Sequence, residues 1–286
     1  DAATQHTFEQ GYRIGELAKR LFPDGIDISP EDFIENLNKT KELLSANHPL
    51  FEPGFYVDSY FSRLDVLYPL GDGSWDIYEV KGSTQVKDIY IHDISFQRHC
   101  VQRVGLSIRK CHIVHINNQY VKHGEIDPGQ LFTIEDVTEQ VDEIASGIEV
   151  RAEEMWKTIA SPICPEIGIG QHCSDPYPCP VTWCLECLPE NNIFSLSGGG
   201  KKCFEMFNKG ILFIKDIPAD IKLSKVQQIQ KTCEINEQSH IDKEAIQEFV
   251  DSLQYPLYYL DFETFNPAIP IHDGTRPYQK IPFQFS

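Results

Sequence analysis

Hydrophobic residues recur at helical spacing in the first part of the chain. Residues 8–22 (FEQGYRIGELAKRLF) place apolar side chains on one face of a helix, and the Pro-Asp-Gly that follows is expected to end it. Residues 30–45 predict a second amphipathic helix, for which residues 29–32 (SPED) supply a capping sequence. A leading strand is predicted near residues 54–58. The chain is therefore expected to form two helices before its main sheet begins.

Residues 61–81 (FSRLDVLYPLGDGSWDIYEVK) have the clearest strand pattern. Apolar and polar residues alternate on both sides of a Gly-Asp-Gly turn, which is typical of a β-hairpin. Asp65 is predicted on the first strand. Glu79 and Lys81 are two residues apart on the second strand, so their side chains should point to the same face. Two carboxylates and one ammonium group are therefore expected on one side of a small sheet.

The pattern after the hairpin predicts a parallel crossover. Asp93 is expected to cap a helix that runs to about residue 106, and residues 111–116 (CHIVHI) form an apolar run typical of a buried strand. Strand, helix and strand in this order give a parallel pair, so the sheet is predicted to be mixed. Residues 134–160 predict one long helix. The expected fold class is α/β, with a mixed central sheet flanked by helices.

Regular patterning weakens after the long helix. Residues 164–187 are rich in Pro, Gly and Cys and predict little regular structure. Short helical patterns follow around Gly210 and Pro218, and residues 241–253 predict another helix. Residues 255–265 (YPLYYLDFETF) then read as an apolar strand. The second half is therefore expected to contain small helical elements followed by a final strand.

Composition narrows the class of protein. The chain has 286 residues, 41% hydrophobic and 24% charged, which suits one large or two smaller globular domains. No apolar run approaches the length of a membrane span, so we expect no membrane partner and a cytoplasmic location. The chain starts with Asp and stops within IPFQFS, so we expect it to be a piece of a longer protein. A net charge of −18 counts against general nucleic-acid binding, although acids around a metal would explain part of it.

The hairpin residues suit a divalent cation. Such an ion requires hard oxygen ligands, which Asp65, Glu79 and the backbone carbonyl of Val80 can supply. Lys81 would position or help deprotonate an attacking water and neutralise developing charge, and burial beside a metal would lower its pKa. The alternative is a solvated hairpin face with a cross-strand ion pair.

The order helix, strand, hairpin, helix and strand, with Asp on one strand and Glu-x-Lys on the next, resembles the PD-(D/E)XK nuclease fold. The resemblance implies a Mg²⁺- or Mn²⁺-dependent nuclease in which Asp65, Glu79 and Lys81 are catalytic. It also implies that Asp65, Glu79 and the carbonyl of Val80 are the metal ligands.

Two further residues come from similarity to the RecB-like branch of that fold. A Gln on the helix after the hairpin reaches toward the site in this branch, and Gln97 takes that position. Val101 stands where the Tyr of the QxxxY motif belongs, so the motif is half matched. RecB-like nucleases often have a metal-binding His on the first helix. Here Glu16 could replace it as a ligand, or could be an exposed helix residue.

Five of the nine cysteines fall between residues 164 and 187. Thiolates this close on a loop rich in Pro and Gly can bind one metal centre, although a set of free thiols is the alternative. The segment resembles the C-terminal cysteine cluster of RecB-like iron–sulfur nucleases, which implies a [4Fe–4S] cluster as a structural staple, with Zn²⁺ as the alternative. The matching ligands are Cys173, Cys179 and Cys184, with Cys164 or Cys187 as a further candidate.

Asp261 and Glu263, in YYLDFETF, resemble the first strand of DEDD exonucleases, which have a ribonuclease-H-like fold. The resemblance implies half of a two-metal site, because the remaining acids would come later in the chain. As a whole, the chain is similar to a bacterial family that joins both domain types. The implied domains are a RecB-like nuclease domain with the cysteine segment at 1–190, a helical linker similar to a helix-hairpin-helix element at 191–252, and the beginning of a ribonuclease-H-like domain at 253–286.

These expectations combine into one predicted function and one alternative. The prediction is a metal-dependent nuclease that hydrolyses DNA, either single strands or duplex ends, with RNA left open as a substrate. The alternative is a catalytically degenerate nucleic-acid-binding or scaffolding module with a structural zinc site. The half-matched Gln motif, the missing His and the negative charge favour the alternative.

Overall fold

The computed structural model describes residues 2–28 and 32–286. Two compact units are present: the described residues up to Ser161 together with Tyr259–Ser286 form the first, and Pro162–Tyr258 form the second. This division differs from the predicted domain boundaries, because the cysteine segment falls in the second unit and the final strands fall in the first. The predicted domains stay a prediction.

Two helices open the first unit, α1 (Ala2–Lys19) and α2 (Phe33–Leu43). Both predicted helices are confirmed, although α1 starts and ends earlier than the pattern indicated. The side chain of Asp32 caps α2 by accepting a hydrogen bond from the backbone N–H of Glu35 at 2.7 Å. The rest of the predicted capping sequence, residues 29–31, lies outside the described residues.

The strands of the first unit build one large sheet and two small ones. They are β1 (Ile26–Asp27), β2 (Leu50–Phe51), β3 (Gly54–Val57), β4 (Tyr60–Arg63), β5 (Val66–Pro69), β6 (Ser74–Lys81), β7 (Ser107–Ile116), β8 (Phe132–Asp136), β9 (Phe262–Phe265) and β10 (Ile281–Phe285). The large sheet has the order β1-β2-β5-β6-β7-β8. The pairs β1–β2 and β6–β7 are parallel and the others antiparallel, so the mixed α/β sheet and the β5–β6 hairpin are confirmed.

The helix that connects the parallel strands is longer than predicted. It is α3 (Asp88–Arg103), and it supplies the crossover between β6 and β7. The expectation that Asp93 caps this helix was wrong, because the helix begins five residues earlier, after an extended Lys87. Asp93 therefore lies inside α3, where its carboxylate is free to contact the sheet.

Residues 134–160 do not form one helix. Their first residues belong to β8, where Ile134 pairs with Val114 across the sheet. The remainder divides into α5 (Thr138–Ala145) and α6 (Ile148–Ala160), preceded by the short α4 (Pro128–Leu131). Gly147 lies between α5 and α6, and glycine is a poor residue for a helix interior. The helical spacing had continued across this break, which is why the pattern predicted a single element.

Both faces of the central strand β7 are buried. Ile113 packs in a core with Ile94 of α3, whereas Val114 and Ile116 pack in a second core with Ile14 of α1. Successive residues of a strand point to opposite faces, so a run of consecutive apolar residues is what a strand covered on both sides requires. The sheet is therefore sandwiched between α3 and α1.

The final segment of the chain packs against the same second core. Ala268 and Ile269 are buried there beside Ile14. Lys122 forms an ion pair with Asp273 at 2.5 Å, which holds the loop between β9 and β10 to the body of the unit. Residues 259–286 are therefore an integral part of the first unit.

The second unit is mainly helical. Its helices are α7 (Trp183–Glu186), α8 (Lys201–Asn208), α9 (Lys225–Asn236) and α10 (Lys243–Ser252). Ile193, Met206 and Ile214 form its small core. The predicted helix at 241–253 and the irregular character of the cysteine segment are both confirmed. In the part of the chain that the structure describes, no helix combines the length and the apolarity needed to cross a bilayer.

Candidate active site

Two neighbouring strands bring Asp65 and Glu79 together. Asp65 directly precedes β5 rather than lying within it. Val66 pairs with Tyr78 in the antiparallel register, so one further step places Asp65 opposite Glu79. The Oδ2 atom of Asp65 accepts a hydrogen bond from the backbone N–H of Val80 at 2.6 Å. The backbone of β6 therefore holds the carboxylate that β5 presents.

Lys81 lies on the same face as Glu79, as predicted. Its Nζ atom is 2.7 Å from Oε1 of Glu79 and 2.7 Å from Oδ2 of Asp93. Asp93 comes from α3, so the crossover helix adds a third acid to the group. The sequence pattern indicated a capping role for Asp93 and did not predict this contact. The available signal was that Asp93 precedes Gln97 by four residues, which places both on one helix face.

Gln97 completes the contacts of Glu79. Its Nε2 atom donates to Oε2 of Glu79 at 2.8 Å, so each oxygen of that carboxylate has a partner. Gln97 is buried, and within the described residues its Oε1 atom has no hydrogen-bond partner. Val101 is fully buried in the core against the sheet. The position that holds Tyr in the QxxxY motif therefore serves packing here.

Charge in this cluster, which consists of Asp65, Glu79, Lys81, Asp93 and Gln97, is unevenly balanced. Burial, followed by the charge of Asp65, raises the pKa of Glu79 to about 8. Burial also raises the pKa of Asp65 to about 6, against the lowering effect of the Val80 N–H. Burial alone would lower the pKa of Lys81, as the sequence analysis expected, but Glu79 and Asp93 outweigh it and raise that pKa. Lys81 therefore stays protonated at neutral pH. Its single positive charge does not balance the three carboxyl groups of the cluster.

Glu52 is an acid near the cluster that the sequence analysis did not identify. It follows β2 in a left-handed conformation, with φ of 58°, and its backbone N–H donates to the carbonyl of Asp65 at 3.1 Å. Its carboxylate lies 3.1 Å from the guanidinium of Arg63. Burial raises the pKa of Glu52, and its charge in turn contributes to the raised pKa of Asp65. A positive φ in a residue other than Gly marks a position held by its surroundings, which no spacing rule reveals.

Glu16 pairs with a lysine of its own helix. Its carboxylate pairs with Lys19 at 2.6 Å, and its side chain is 45% exposed. Lys19 also pairs with Asp27 at 2.6 Å. Within the described residues, Glu16 makes no hydrogen bond or ion pair with the carboxylates of the cluster. Its role as a metal ligand stays a prediction.

The cluster fits a divalent cation in its chemistry. Among the described residues, no group of three or more His, Cys, Asp or Glu side chains is arranged to hold a metal ion. However, the pKa values of Asp65 and Glu79 are both raised, and the amide oxygen of Gln97 is buried without a partner. Added positive charge would lower both pKa values, and an oxygen of this kind is a hard ligand. Val80, whose carbonyl is the predicted third ligand, is tied to Asp65 through its N–H.

The cysteine segment offers suitable donors in an open arrangement. Cys173, Cys179 and Cys184 are half-buried free thiols, whereas Cys164 and Cys187 are exposed. The backbone N–H of Cys179 donates to the carbonyl of Cys173 at 2.9 Å, so these two positions are neighbours. Thiolates suit iron or zinc, but the described residues do not gather three of them around one point. The ligands of the iron–sulfur or zinc centre stay a prediction.

Asp261 and Glu263 lie on the small sheet formed by β9 and β10. Asp261 precedes β9 and exchanges two backbone hydrogen bonds with Ser286, at 3.0 and 3.1 Å. Glu263 pairs with Gln284. Both acids are exposed and, being two residues apart, point to the same face. The second metal site stays a prediction.

Comparison with known proteins bears on this last segment. A family model described as a domain of unknown function, DUF2779, matches residues 258–286, which include Asp261, Glu263 and the loop between β9 and β10. No curated protein matches the chain, and neither does any solved structure. The match is limited to the end of the chain and does not reach the carboxylate cluster.

Proposed function

We propose that the chain is a metal-dependent nuclease of the PD-(D/E)XK type that hydrolyses phosphodiester bonds of DNA. The observation that carries the proposal is the group formed by Asp65, Glu79 and Lys81. Two acids with raised pKa values lie side by side, Asp65 directly before β5 and Glu79 within the adjacent β6, and an ammonium group is 2.7 Å from one of them. The mixed sheet, with α3 crossing between its parallel strands, supports the same class of fold.

Each residue of the cluster has a distinct task in this proposal. Asp65, Glu79 and the carbonyl of Val80 would hold Mg²⁺ or Mn²⁺, which supplies an activated water and neutralises charge when bound. Lys81 remains protonated and stabilises the negative charge that accumulates on the phosphate oxygens in the transition state. Gln97 positions Glu79 by binding its second oxygen. In the overall reaction the oxygen of water bonds to phosphorus, one P–O ester bond breaks, and the leaving oxygen takes up a proton.

The test is divalent-dependent cleavage of labelled DNA by Asp65→Asn and Lys81→Ala variants, with RNA as a parallel substrate. We expect each variant to lose about a thousandfold in rate, because each removes a group that stabilises charge in the transition state. Asp72→Asn is the matched control, since Asp72 lies in the turn of the same hairpin and accepts a local hydrogen bond from the backbone N–H of Ser74 at 2.9 Å. Wild-type rates in both site variants would contradict the proposal.

The cysteine segment enters the proposal as a structural staple. Cys173, Cys179 and Cys184, with Cys164 or Cys187 as a further ligand, would ligate a [4Fe–4S] cluster or Zn²⁺ and so order a segment that contains little regular structure. Anaerobic preparation followed by metal and sulfide analysis tests this part separately. Iron with equal sulfide supports the cluster, zinc alone supports the alternative, and neither metal contradicts both.

One observation favours the alternative of a degenerate binding or scaffolding module. Glu79 is engaged by Lys81 and Gln97, and among the described residues no three acidic, His or Cys side chains are arranged so that they could hold a metal ion. Binding of DNA without cleavage, across Mg²⁺, Mn²⁺ and other divalent ions, would establish this alternative.

A further inference from the structure

A large cavity lies directly beyond Lys81 at the end of β6. Its volume is about 1050 Å³, which exceeds the roughly 300–1,000 Å³ typical of sites for small ligands. Residues 82–85 and Lys87 line one side, and residues 276–279 line the other. Both sides belong to the first unit. The cavity is therefore large enough for several linked groups of one ligand.

The lining has the opposite charge to the chain as a whole. Its charged residues are Lys87 and Arg276, both exposed, whereas the chain carries a net charge of −18. The other polar lining residues include Ser83, Gln85 and Asn118, which can donate hydrogen bonds. The described lining residues include no carboxylate. Cations combined with neutral donors are the groups that bind phosphate oxygens.

One aromatic ring connects the cavity to the carboxylate cluster. The Nζ atom of Lys81 is 5.3 Å from the centroid of the Tyr90 ring, and the Nζ atom of Lys87 is 5.7 Å from the same centroid. Lys81 belongs to the cluster and Lys87 to the cavity lining. A polymer bound along the cavity would therefore pass next to the acids.

The loop that carries Arg276 is fixed in place. Tyr278 has a φ of 59°, which is rare for a bulky residue and requires support from its surroundings. That support comes from its hydroxyl, which donates to the carbonyl of Gly82, and from its backbone N–H, which donates to the carbonyl of Pro267 at 2.9 Å. The hydroxyl contact joins the two sides of the cavity. Arg276 is thus presented from a braced loop rather than from a free end.

We propose that this cavity binds the phosphodiester backbone of the nucleic acid that the carboxylate cluster cleaves, with Lys87 and Arg276 pairing with phosphates. The inference rests on the proposed function, because it names how the same site receives its substrate. It also assigns the segment matched by DUF2779 a part in substrate binding, through residues 276–279.

Fluorescence anisotropy of labelled oligonucleotides in the presence of EDTA tests the proposal. It measures binding alone, because EDTA removes the divalent ions that cleavage would require. We expect Lys87→Ala and Arg276→Ala each to weaken binding about tenfold at about 50 mM salt, and Arg276→Lys to retain most of the affinity. The slope of log affinity against log salt should fall by about 0.7 per variant for a single strand and by about 0.9 for a duplex. Single-stranded and duplex arms, in DNA and in RNA, identify which source of phosphodiester is bound.

Arg109→Ala is the matched control. Arg109 is an exposed cation near the start of β7, whereas the cavity lies beyond the end of the parallel neighbour β6. We expect its binding and salt slope to equal those of the wild-type chain. Thermal unfolding of every variant establishes that the fold is retained.

The outcomes separate this inference from the proposed function. Unchanged binding and slope in both cavity variants, or no binding by the wild-type chain at low salt, would overturn the inference. If Asp65→Asn abolishes cleavage while the cavity variants bind normally, the nuclease proposal stands and the cavity assignment fails. If the wild-type chain binds nucleic acid but never cleaves it, and the cavity variants bind more weakly, the cavity assignment stands and the nuclease proposal fails.

Discussion

The carboxylate cluster and the cysteine segment are both candidate metal sites, and the chain builds them in different ways. In the cluster, strand register and backbone hydrogen bonds place Asp65 and Glu79 side by side, and Lys81 and Gln97 engage the second acid. In the cysteine segment, residues 164–187 have little regular structure and the thiols are half-buried or exposed. The first site is therefore assembled by the fold itself, whereas the second would need its metal to organise the chain.

The carboxylate cluster also affects the stability of the folded chain. Burying two acids beside one lysine raises the pKa values of both acids, which means that their charged forms are destabilised in the folded chain. A cation would relieve that cost at the cluster. The predictions that follow use this contrast, starting with the largest expected effect.

Glu79→Gln should separate activity from stability. The amide keeps the size of the side chain but removes the charge, so we expect about a thousandfold loss of cleavage rate, or about 4 kcal/mol. The temperature of unfolding should not fall, because burial raises the pKa of Glu79 and so already favours its neutral form, which the amide resembles. Single-turnover cleavage and calorimetry on the same preparation measure both quantities. Retained activity would indicate that the cluster is an ordinary ion pair and not a catalytic site.

Addition of Mn²⁺ should stabilise the chain through the cluster and not through the thiols. At about one hundred times its dissociation constant, one bound ion contributes about 2.7 kcal/mol to the free energy of unfolding. Asp65→Asn should remove this gain, and Cys179→Ser should leave it unchanged. Titration of the unfolding temperature with Mn²⁺ measures the effect. If only Cys179→Ser lost the stabilisation by Mn²⁺, the ion would be bound by the thiols and not by the carboxylate cluster.

Stability without added divalent ions should decrease as pH rises. The folded pKa values of about 6 for Asp65 and about 8 for Glu79 lie above the values near 4 that these residues have when unfolded. Between about pH 4 and pH 8 the folded chain therefore binds more protons than the unfolded chain, and stability falls across this window by at least about 1 kcal/mol. Urea unfolding at several pH values measures the slope. The dependence of stability on pH should be weaker in Glu79→Gln. An increase of stability with pH in the wild-type chain would contradict the raised pKa values of the two acids.

Thiol labelling tests the smallest expected effect on the free energy of unfolding. It should nevertheless distinguish the cysteines clearly by their rates of alkylation. Burial raises the pKa of Cys100 to about 11 and that of Cys111 to about 12, so both should resist alkylation in the folded chain. The exposed Cys164 and Cys187 should react first. Loading with iron and sulfide, or with zinc, should protect Cys173 and its neighbours from the reagent. Mass spectrometry after brief iodoacetamide treatment detects the order, and early labelling of Cys111 would show that the core opens.

Local patterns were sufficient to predict the parts of the site that lie along one strand. Glu79 and Lys81 share a face because the side-chain period of a strand is two, and the Gly-Asp-Gly turn fixed the hairpin that carries them. Gln97 was found through the resemblance, and the structure places it on Glu79. These features depend on short stretches of sequence, where propensity and spacing act directly.

Contacts between distant parts of the chain could not be predicted in this way. Asp93 looked like a helix cap because its residue type favours that role, but the helix begins earlier and the carboxylate pairs with Lys81 instead. Glu52 reaches the cluster through a left-handed backbone that no pattern specifies. The helical spacing of residues 134–160 continued through Gly147, where the structure has a break. For Asp93 and Glu52 tertiary packing outweighed local preference, whereas at Gly147 the local preference of glycine outweighed the apolar spacing.

The burial of Ala268 and Ile269 against α1 has a consequence for biosynthesis. The first unit is closed by residues at the far end of the chain, and Pro162–Tyr258 lies between its two parts in the sequence. During translation the second unit emerges completely before the residues that finish the first core are made. Domains generally fold as units in the order in which they emerge, and contacts of long sequence separation form slowly. The later unit in sequence should thus be the earlier one to mature on the ribosome, while the second core of the first unit is completed only after residues 259–286 are synthesised.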